Sequence, residues 1–253
     1  MRSLRLAIGF LTIVPVSPAH AGPMAPARAY FPLVGLGIGG LLAGLDIAAR
    51  QVLPLPVVGA LLVAAMLVLT RALHTEGFLD TCDGLLGGRD RESRLDILRD
   101  SHVGAFAAIG GACLLLVKWT LLVGIPEAER LGLLFLFPCY SRFAMVAAMS
   151  VFPYARAQGL GTAFQAGAGW RQFAFALLTA AVAGGLLFGI AGLLLLVVAT
   201  VVALGLGLWS LRLLGGMTGD TYGATNEVAE VTILLAGLIL IQLSPGLTGA
   251  PFW

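Results

Sequence analysis

The sequence has little charge and no paired cysteines. Only 11% of its 253 residues are charged and 59% are hydrophobic, whereas a soluble domain carries charge at about a quarter of its positions. Cys82, Cys113 and Cys139 form no CxxC and no paired spacing, so we interpret them as small buried hydrophobes rather than as a disulfide or metal framework. There is also no basic block, so nothing in the sequence supports nucleic acid as a partner.

Alternating polar and apolar residues are absent as well, which argues against a membrane β-barrel. The apolar runs are continuous and long enough to cross about 30 Å of hydrocarbon as helices. We therefore predict one domain over residues 1–253, an all-α polytopic membrane protein in the lipid bilayer. About seven spans are expected, at residues 30–49, 54–73, 104–124, 131–151, 172–189, 191–212 and 228–244. The spans 172–189 and 191–212 form one nearly continuous run that is twice as long as a membrane is thick. The run must therefore turn, and we expect the turn near Gly184, Gly185 or Gly189.

The N-terminal segment allows two interpretations. "MRSLRLAIGFLTIVPVSPAHA" has the basic start, short apolar stretch and A-x-A-like end of a secretory signal. The alternative is an amphipathic interfacial segment of the mature protein over residues 1–29, with Arg2 and Arg5 on its polar side.

The basic residues are distributed unevenly between the two sets of loops. Only Arg50 and Arg130 fall in the loops opposite to the rest. The positive-inside rule therefore places the N-terminus in the cytoplasm, and seven spans place the C-terminus outside. The polar segments 74–103, 152–171 and 213–227 then all lie on the cytoplasmic side, so a site built from several of them faces the cytoplasm.

The first polar segment begins "HTEGFLDTCDG". Glu76, Asp80 and Asp83 are spaced by four and three residues, which places three carboxylates on one helical face. Because neighbouring like charges repel, we expect a positive group between these carboxylates. Carboxylate oxygens are the ligands that Mg²⁺ prefers. We predict a Mg²⁺ site here; the alternative is a solvated polar face beside the membrane.

A glycine turn follows the acidic helix, with Gly87 and Gly88 directly before Arg89. Backbone N–H groups in such a turn can approach an anion, and arginine pairs well with phosphate. Residues 90–102 are predicted to form a short amphipathic helix capped by Asp90.

The second polar segment contains "LGGMTGDTYGATNEVAE". Thr218, Gly219 and Asp220 form a loop suited to close approach by a ligand. Thr225 is expected to cap the last span, with Glu227 and Glu230 in its first turn.

Other polar residues fall within or beside the predicted spans. Arg142 is interpreted as functional, in a polar cavity. Lys118 and Asp46 are expected to pair with each other or to extend toward the interface. His74, one turn from the carboxylates, is a candidate general base.

Four motifs in this order closely resemble the cobalamin synthase family. They are "LHTEGFLDTCDGLLGGRDRESRLDILRDSHVGAF", "YFPLVGLGIGG", "SRFAMVAAMSVFPYARAQGLG" and "LGGMTGDTYGATNEVAE", preceded by "FLTIVPV". The resemblance covers nearly the whole chain. Glu76 is a departure, since the family usually has Asp there. Retention of residues 1–21 is also implied.

The resemblance implies an adenosylcobinamide-GDP ribazoletransferase in the bacterial inner membrane. Its partners would be adenosylcobinamide-GDP and α-ribazole or α-ribazole 5′-phosphate, and the sequence leaves open whether other cobalamin-pathway enzymes bind. We predict Asp80, Asp83 and His74 as catalytic residues, and Glu76, Asp80, Asp83 and Asp220 as Mg²⁺ ligands. The predicted substrate-binding residues are Gly87, Gly88, Arg89, Arg99, Asp100, Ser101, Arg142, Arg156, Thr218 and Gly219.

Two alternatives are weighed against this interpretation. A CDP-alcohol phosphotransferase shares Asp80, Asp83 and Gly84, but then requires Ala-Arg where this chain has Gly87 and Gly88. An ion-coupled transporter is expected to have internal repeats and a midplane site, and no clear repeat is present.

Overall fold

The chain is helical throughout the part that the computed structural model describes, which is residues 1–16, 24–100, 102–156, 160–165 and 169–248. In these ranges the only strand-like pairing is a single bridge between Tyr154 and Met217. The helices are α1 (Arg2–Leu11), α2 (Phe31–Ala49), α3 (Leu55–Thr70), α4 (Leu73–Cys82), α5 (Arg91–Ile97), α6 (Ala105–Gly124), α7 (Glu127–Val151), α8 (Leu160–Gln165), α9 (Trp170–Leu214) and α10 (Gly219–Leu243). The predicted all-α polytopic fold is confirmed.

Within the described residues, five helical segments are long and apolar enough to cross a membrane, and α3 with α4 forms a sixth as a bent pair. The longest of them, α9, is broken at Gly189, where φ is 60° and ψ is −140°. A Cβ atom on Gly184 would lie 3.1 Å from the backbone of Gly192, so the two arms of α9 fold back closely on each other. With the two arms of α9 counted as separate spans, and α3 with α4 counted as one, the described residues account for the seven predicted spans. The turn between the two arms lies at Gly189, one of the three glycines at which the sequence predicts it.

Helix α7 occupies the centre of the bundle and packs against α2, α9 and α10. Glycines on α2 allow the closest of these approaches. A Cβ atom at Gly39 would lie 2.6 Å from the carbonyl oxygen of Leu134, and one at Gly35 would collide with Pro138. Small residues four apart commonly bring membrane helices together in this way.

The N-terminal helix α1 is part of the packed structure. Leu6, Ala7 and Leu11 are buried in the main core beside Phe31, while Arg2 and Arg5 lie on the exposed side. Helix α1 is therefore amphipathic, and the interfacial interpretation of residues 1–29 stays a prediction.

The acidic helix α4 does not emerge from the bundle as the sequence analysis expected. Arg71 and Ala72 adopt left-handed φ values of 54° and 52° and turn α4 by 95° from α3. Helix α4 then packs between α10 and α6, and His74 is only 2% exposed. The expectation that residues 74–103 lie wholly outside the spans is therefore wrong for its first helix.

The end of the bundle opposite to the acidic residues is closed by a second charged cluster. Asp46 is buried and accepts hydrogen bonds from Arg130, with Nε 2.8 Å from Oδ1, and it forms an ion pair with Arg50. Arg50 also contacts Glu127. Asp46 therefore stabilises this end, and the expected pairing of Asp46 with Lys118 is wrong.

Candidate functional site

The acidic face of α4 is held against the start of α10. Gly77 and Gly223 permit this contact, since a Cβ atom on Gly77 would lie 2.8 Å from the carbonyl oxygen of Asp220. A Cβ atom on Gly223 would lie 2.9 Å from the carbonyl oxygen of His74. Asp220 consequently lies within electrostatic reach of Asp80 on α4. The two acidic motifs, distant in sequence, therefore lie against each other, and their action as one site stays a prediction.

Asp220 is oriented by hydrogen bonds from two side chains. Arg156 Nη2 lies 3.0 Å from its Oδ2 atom, and Thr218 Oγ1 lies 3.2 Å from the same oxygen. Arg156 also donates to the carbonyl of Leu98 at 3.3 Å. The segment after α7, the end of α5 and the start of α10 thus meet at Asp220, while buried Thr218 also caps α10 by accepting from Thr221 N.

Asp83 has a structural task that its spacing with Asp80 does not indicate. Its Oδ2 accepts from the backbone N–H of Gly104 at 2.6 Å, and its Oδ1 accepts from Ala107 at 2.9 Å. It therefore satisfies free donors at the first turn of α6. Asp83 stays a predicted metal ligand and catalytic residue, but both its oxygens already have partners.

The glycine turn shapes the link from α4 to α5. The wide π-helical turn Asp83–Gly87 continues α4. Gly88 is buried, and a Cβ atom there would lie 2.8 Å from the Gly84 carbonyl oxygen. Asp90 caps α5 as predicted. Arg89 is exposed beside this turn, and neither it nor Gly87 or Gly88 lines the cavities described next.

Two cavities flank the acidic face, and both are lined by Glu76 and Asp80. The first, which we name the aromatic cavity, has a volume of about 210 Å³. The second, which we name the arginine cavity, has a volume of about 330 Å³. The walls of the aromatic cavity include His74, Gly219, Asp220, Phe10, Phe164 and Tyr222.

The arginine cavity is lined by Arg99 and Asp100 from the end of the α5 segment. Asp100 Oδ1 lies 2.5 Å from His102 Nδ1. This hydrogen bond raises the pKa of His102 and lowers that of Asp100. Ser101, the remaining predicted residue of this group, lies outside the described residues.

A buried ionic network lies directly behind the aromatic cavity. Lys118 Nζ is 2.5 Å from Glu227 and 2.7 Å from Glu230, and Arg142 pairs with Glu230. The Nη2 atom of Arg142 is 3.5 Å from His74 Nδ1. Arg142 lines neither cavity, and it contacts His74 in the wall of the aromatic cavity. Its predicted contact with substrate stays a prediction.

Sequence reasoning missed this network because it placed the start of the last span too late. Helix α10 begins at Gly219 with Thr218 as its cap, so Thr225 is not the cap. Glu227 and Glu230 lie two to three turns inside the helix and are buried. Lys118 in an apolar span was the signal, because an intramembrane cation requires a buried anion.

Bound Mg²⁺ is compatible with the donor set. No group of three or more His, Cys, Asp or Glu side chains forms a ready metal site within the described ranges, so the predicted four-ligand set is not assembled. Glu76 and Asp80 nevertheless offer carboxylate oxygens to both cavities. Mg²⁺ usually takes one or two protein carboxylates and completes its shell with water and substrate phosphate, which this pair suits.

The fold and site together define a multi-pass membrane protein with a carboxylate-lined site at one end of its helical bundle. The family model described as cobalamin-5-phosphate synthase matches residues 3–238. The chain belongs to this family.

Named relatives cover almost the same length. A protein of Desulforamulus reducens named adenosylcobinamide-GDP ribazoletransferase is 39% identical over 248 residues, which is 95% of this chain and 98% of the relative. A Geotalea daltonii protein of the same name is 37% identical, over 93% and 96%, and one of Roseiflexus sp. is 39% identical, over 90% and 86%. No solved structure matches the chain.

Proposed function

We propose that the chain is a membrane transferase that joins adenosylcobinamide-GDP to α-ribazole, or to α-ribazole 5′-phosphate, and releases GMP. The observation that carries the proposal is the position of Glu76 and Asp80 in the walls of both cavities, with Asp220 in the wall of the aromatic cavity, in a chain whose named relatives span its length. A site between two cavities suits a reaction that brings two substrates together. Family membership disfavours the CDP-alcohol phosphotransferase and transporter alternatives.

The proposed reaction is a phosphoryl transfer. The 3′-hydroxyl oxygen of α-ribazole forms a bond to the phosphorus attached to cobinamide, while the bond from that phosphorus to the GMP oxygen breaks. GMP leaves with the bonding electron pair, and the hydroxyl proton passes to a carboxylate. Such transfer depends chiefly on positioning and on neutralising negative charge.

We assign each residue a role in the transfer reaction from its position relative to the two cavities. Asp80 lines both cavities and is our choice for the proton acceptor. Glu76 and Asp80 would hold Mg²⁺, which supplies charge neutralisation to a diphosphate when bound. Arg99 in the arginine cavity pairs with phosphate oxygens. Arg156 donates a hydrogen bond to Asp220 and holds it in the wall of the aromatic cavity.

Orientation in the membrane is also part of the proposal. Most arginines lie at the end of the bundle that holds the acidic site, while Arg50 and Arg130 lie at the other end. The positive-inside rule places the arginine-rich end in the cytoplasm. We therefore propose a bacterial inner-membrane protein whose site faces the cytoplasm.

The test uses the purified full chain with adenosylcobinamide-GDP, α-ribazole and Mg²⁺, and follows GMP by chromatography. The proposal expects GMP only when both organic substrates are present. GMP formed without α-ribazole would indicate a hydrolase instead. Uptake of labelled cobinamide into vesicles with no GMP release would favour the transporter.

A further inference from the structure

The two cavities beside α4 differ in chemistry. The aromatic cavity is walled by Phe10, Phe164 and Tyr222, together with Met145 and Met149. The arginine cavity has charged groups, and its Arg99 and Asp100 side chains are exposed. The aromatic cavity therefore suits a flat apolar ring. The arginine cavity, where Arg99 lies beside the shared carboxylates of Glu76 and Asp80, suits a diphosphate that arrives with Mg²⁺.

His74 gives the aromatic cavity a polar group with a defined role. Its ring is 2% exposed, and Nε2 has no hydrogen-bond partner among the described residues. Nδ1 faces Arg142 Nη2 at 3.5 Å. Because a guanidinium only donates, Nδ1 accepts and the proton of the neutral ring lies on Nε2. His74 thus offers one N–H group. We therefore assign it as a hydrogen-bond donor to a ligand, whereas the sequence analysis named it as a candidate general base.

The hydrogen-bond donor is held in place by the buried network. Glu230 binds both Arg142 and Lys118, so the arginine cannot turn away from His74 without leaving a buried carboxylate partly unpaired. A buried N–H without a partner costs free energy. A ligand with one acceptor atom on an aromatic body recovers that cost.

We propose that the aromatic cavity binds the benzimidazole ring of α-ribazole, with the free ring nitrogen accepting from His74 Nε2–H. The inference rests on the proposed function. At about 210 Å³ the cavity is smaller than the roughly 300–1,000 Å³ of whole-ligand pockets, which suits one ring and excludes a corrinoid. The ribose then lies toward Glu76 and Asp80. The diphosphate of the second substrate approaches from the arginine cavity.

Substitutions at two positions, His74 and Gly219, test the assignment independently. His74→Phe keeps an aromatic ring and removes the donor, and His74→Gln restores an N–H. Gly219→Leu adds a side chain at the cavity wall, where a Cβ atom meets nothing within 4 Å. Gly205→Leu is its matched control, since a Cβ atom there also meets nothing and the position does not line the aromatic cavity.

The readouts are equilibrium binding of α-ribazole, followed by the fluorescence of its own benzimidazole, and the KM of each substrate. One lost hydrogen bond predicts about tenfold weaker α-ribazole binding in His74→Phe, with partial recovery in His74→Gln. Gly219→Leu should also weaken binding, and Gly205→Leu should not. The KM for adenosylcobinamide-GDP should stay unchanged in all four.

The outcomes separate this inference from the proposed function. Normal α-ribazole binding in both His74→Phe and Gly219→Leu, with wild-type GMP release intact, overturns the cavity assignment alone. Equal increases in both KM values also overturn it, because they indicate a general distortion. Wild-type binding of α-ribazole without any GMP release overturns the transfer reaction and leaves the binding site standing.

Discussion

Asp83 and Gly104 are joined by a hydrogen bond of 2.6 Å from the Gly104 backbone N–H to Oδ2 of Asp83. The other oxygen of Asp83 accepts from Ala107, so this carboxylate holds the start of α6 against the end of α4. Asp80, one turn earlier, has no such backbone contact with any described residue, and it lines both cavities. Two acidic residues of one motif therefore have separable tasks.

The first prediction contrasts these two residues. Asp80→Asn should abolish turnover and leave the unfolding temperature in detergent unchanged. Asp83→Asn should lower thermal stability, because the NH2 group of the amide cannot accept the second of the two backbone hydrogen bonds. The expected loss in the free energy of unfolding is about 1 kcal/mol, which is typical of a lost helix cap. Asp96→Asn, at an exposed carboxylate, is the control and should change neither. A stable but inactive Asp83→Asn would instead favour its predicted role as metal ligand.

The second prediction concerns Asp220, which links α10 to the acidic face. Asp220→Ala should lower turnover at least about tenfold, or about 1.4 kcal/mol in the activation barrier. Its stability should fall little because the carboxylate is half-buried and held by Arg156 and Thr218 rather than by the core. Steady-state kinetics and thermal unfolding are measured together. Glu92→Ala, at an exposed residue of α5, is the matched control, and equal effects of the two changes would contradict the shared site.

The third prediction tests the buried network. Lys118→Met leaves Glu227 and Glu230 with less compensating charge in an apolar interior, and breaking one partner of a buried pair typically costs about 3–5 kcal/mol. The free energy of unfolding in detergent should fall by an amount of this order. Adding Glu227→Gln to Lys118→Met should recover part of the loss. If Lys118→Met is as stable as the wild type, the network does not hold α6 to α10.

The fourth prediction concerns orientation. A cysteine placed at Ser93, beside the acidic site, should be protected from an impermeant thiol reagent in intact cells. One placed at Gly246, an exposed position near the C-terminal end of the described chain, should be labelled. Cys113 is exposed in the bundle, so the unmodified chain is labelled in parallel as the control. The reverse pattern would place the site outside the cytoplasm.

Much of the architecture follows from the sequence because its causes are local. Continuous apolar runs require helices in a bilayer, and Gly189 breaks the longest run where the length requires a turn. Asp90 caps α5 as its pattern predicts. The convergence of Asp220 with Asp80 followed from topology, since both segments lie at the same end of the bundle.

The remaining features depend on contacts that no single stretch reveals. The inward turn of α4 rests on left-handed Arg71 and Ala72, residues without a typical preference for that conformation. The cap at Gly104 uses an acid 21 residues earlier in the chain. The pairing of Lys118 with Glu227 required the true start of α10, which the capping pattern at Thr218 marks in retrospect.

The most direct measurement of the central claim compares GMP with the joined corrinoid product in one time course. Purified wild-type protein receives adenosylcobinamide-GDP, α-ribazole and Mg²⁺, and both products are quantified by chromatography with mass detection. The account predicts equal amounts of GMP and adenosylcobalamin at every time, and neither product with Asp80→Asn. GMP in excess of the joined product, or joined product from Asp80→Asn at the wild-type rate, would contradict transfer at the carboxylate face of α4.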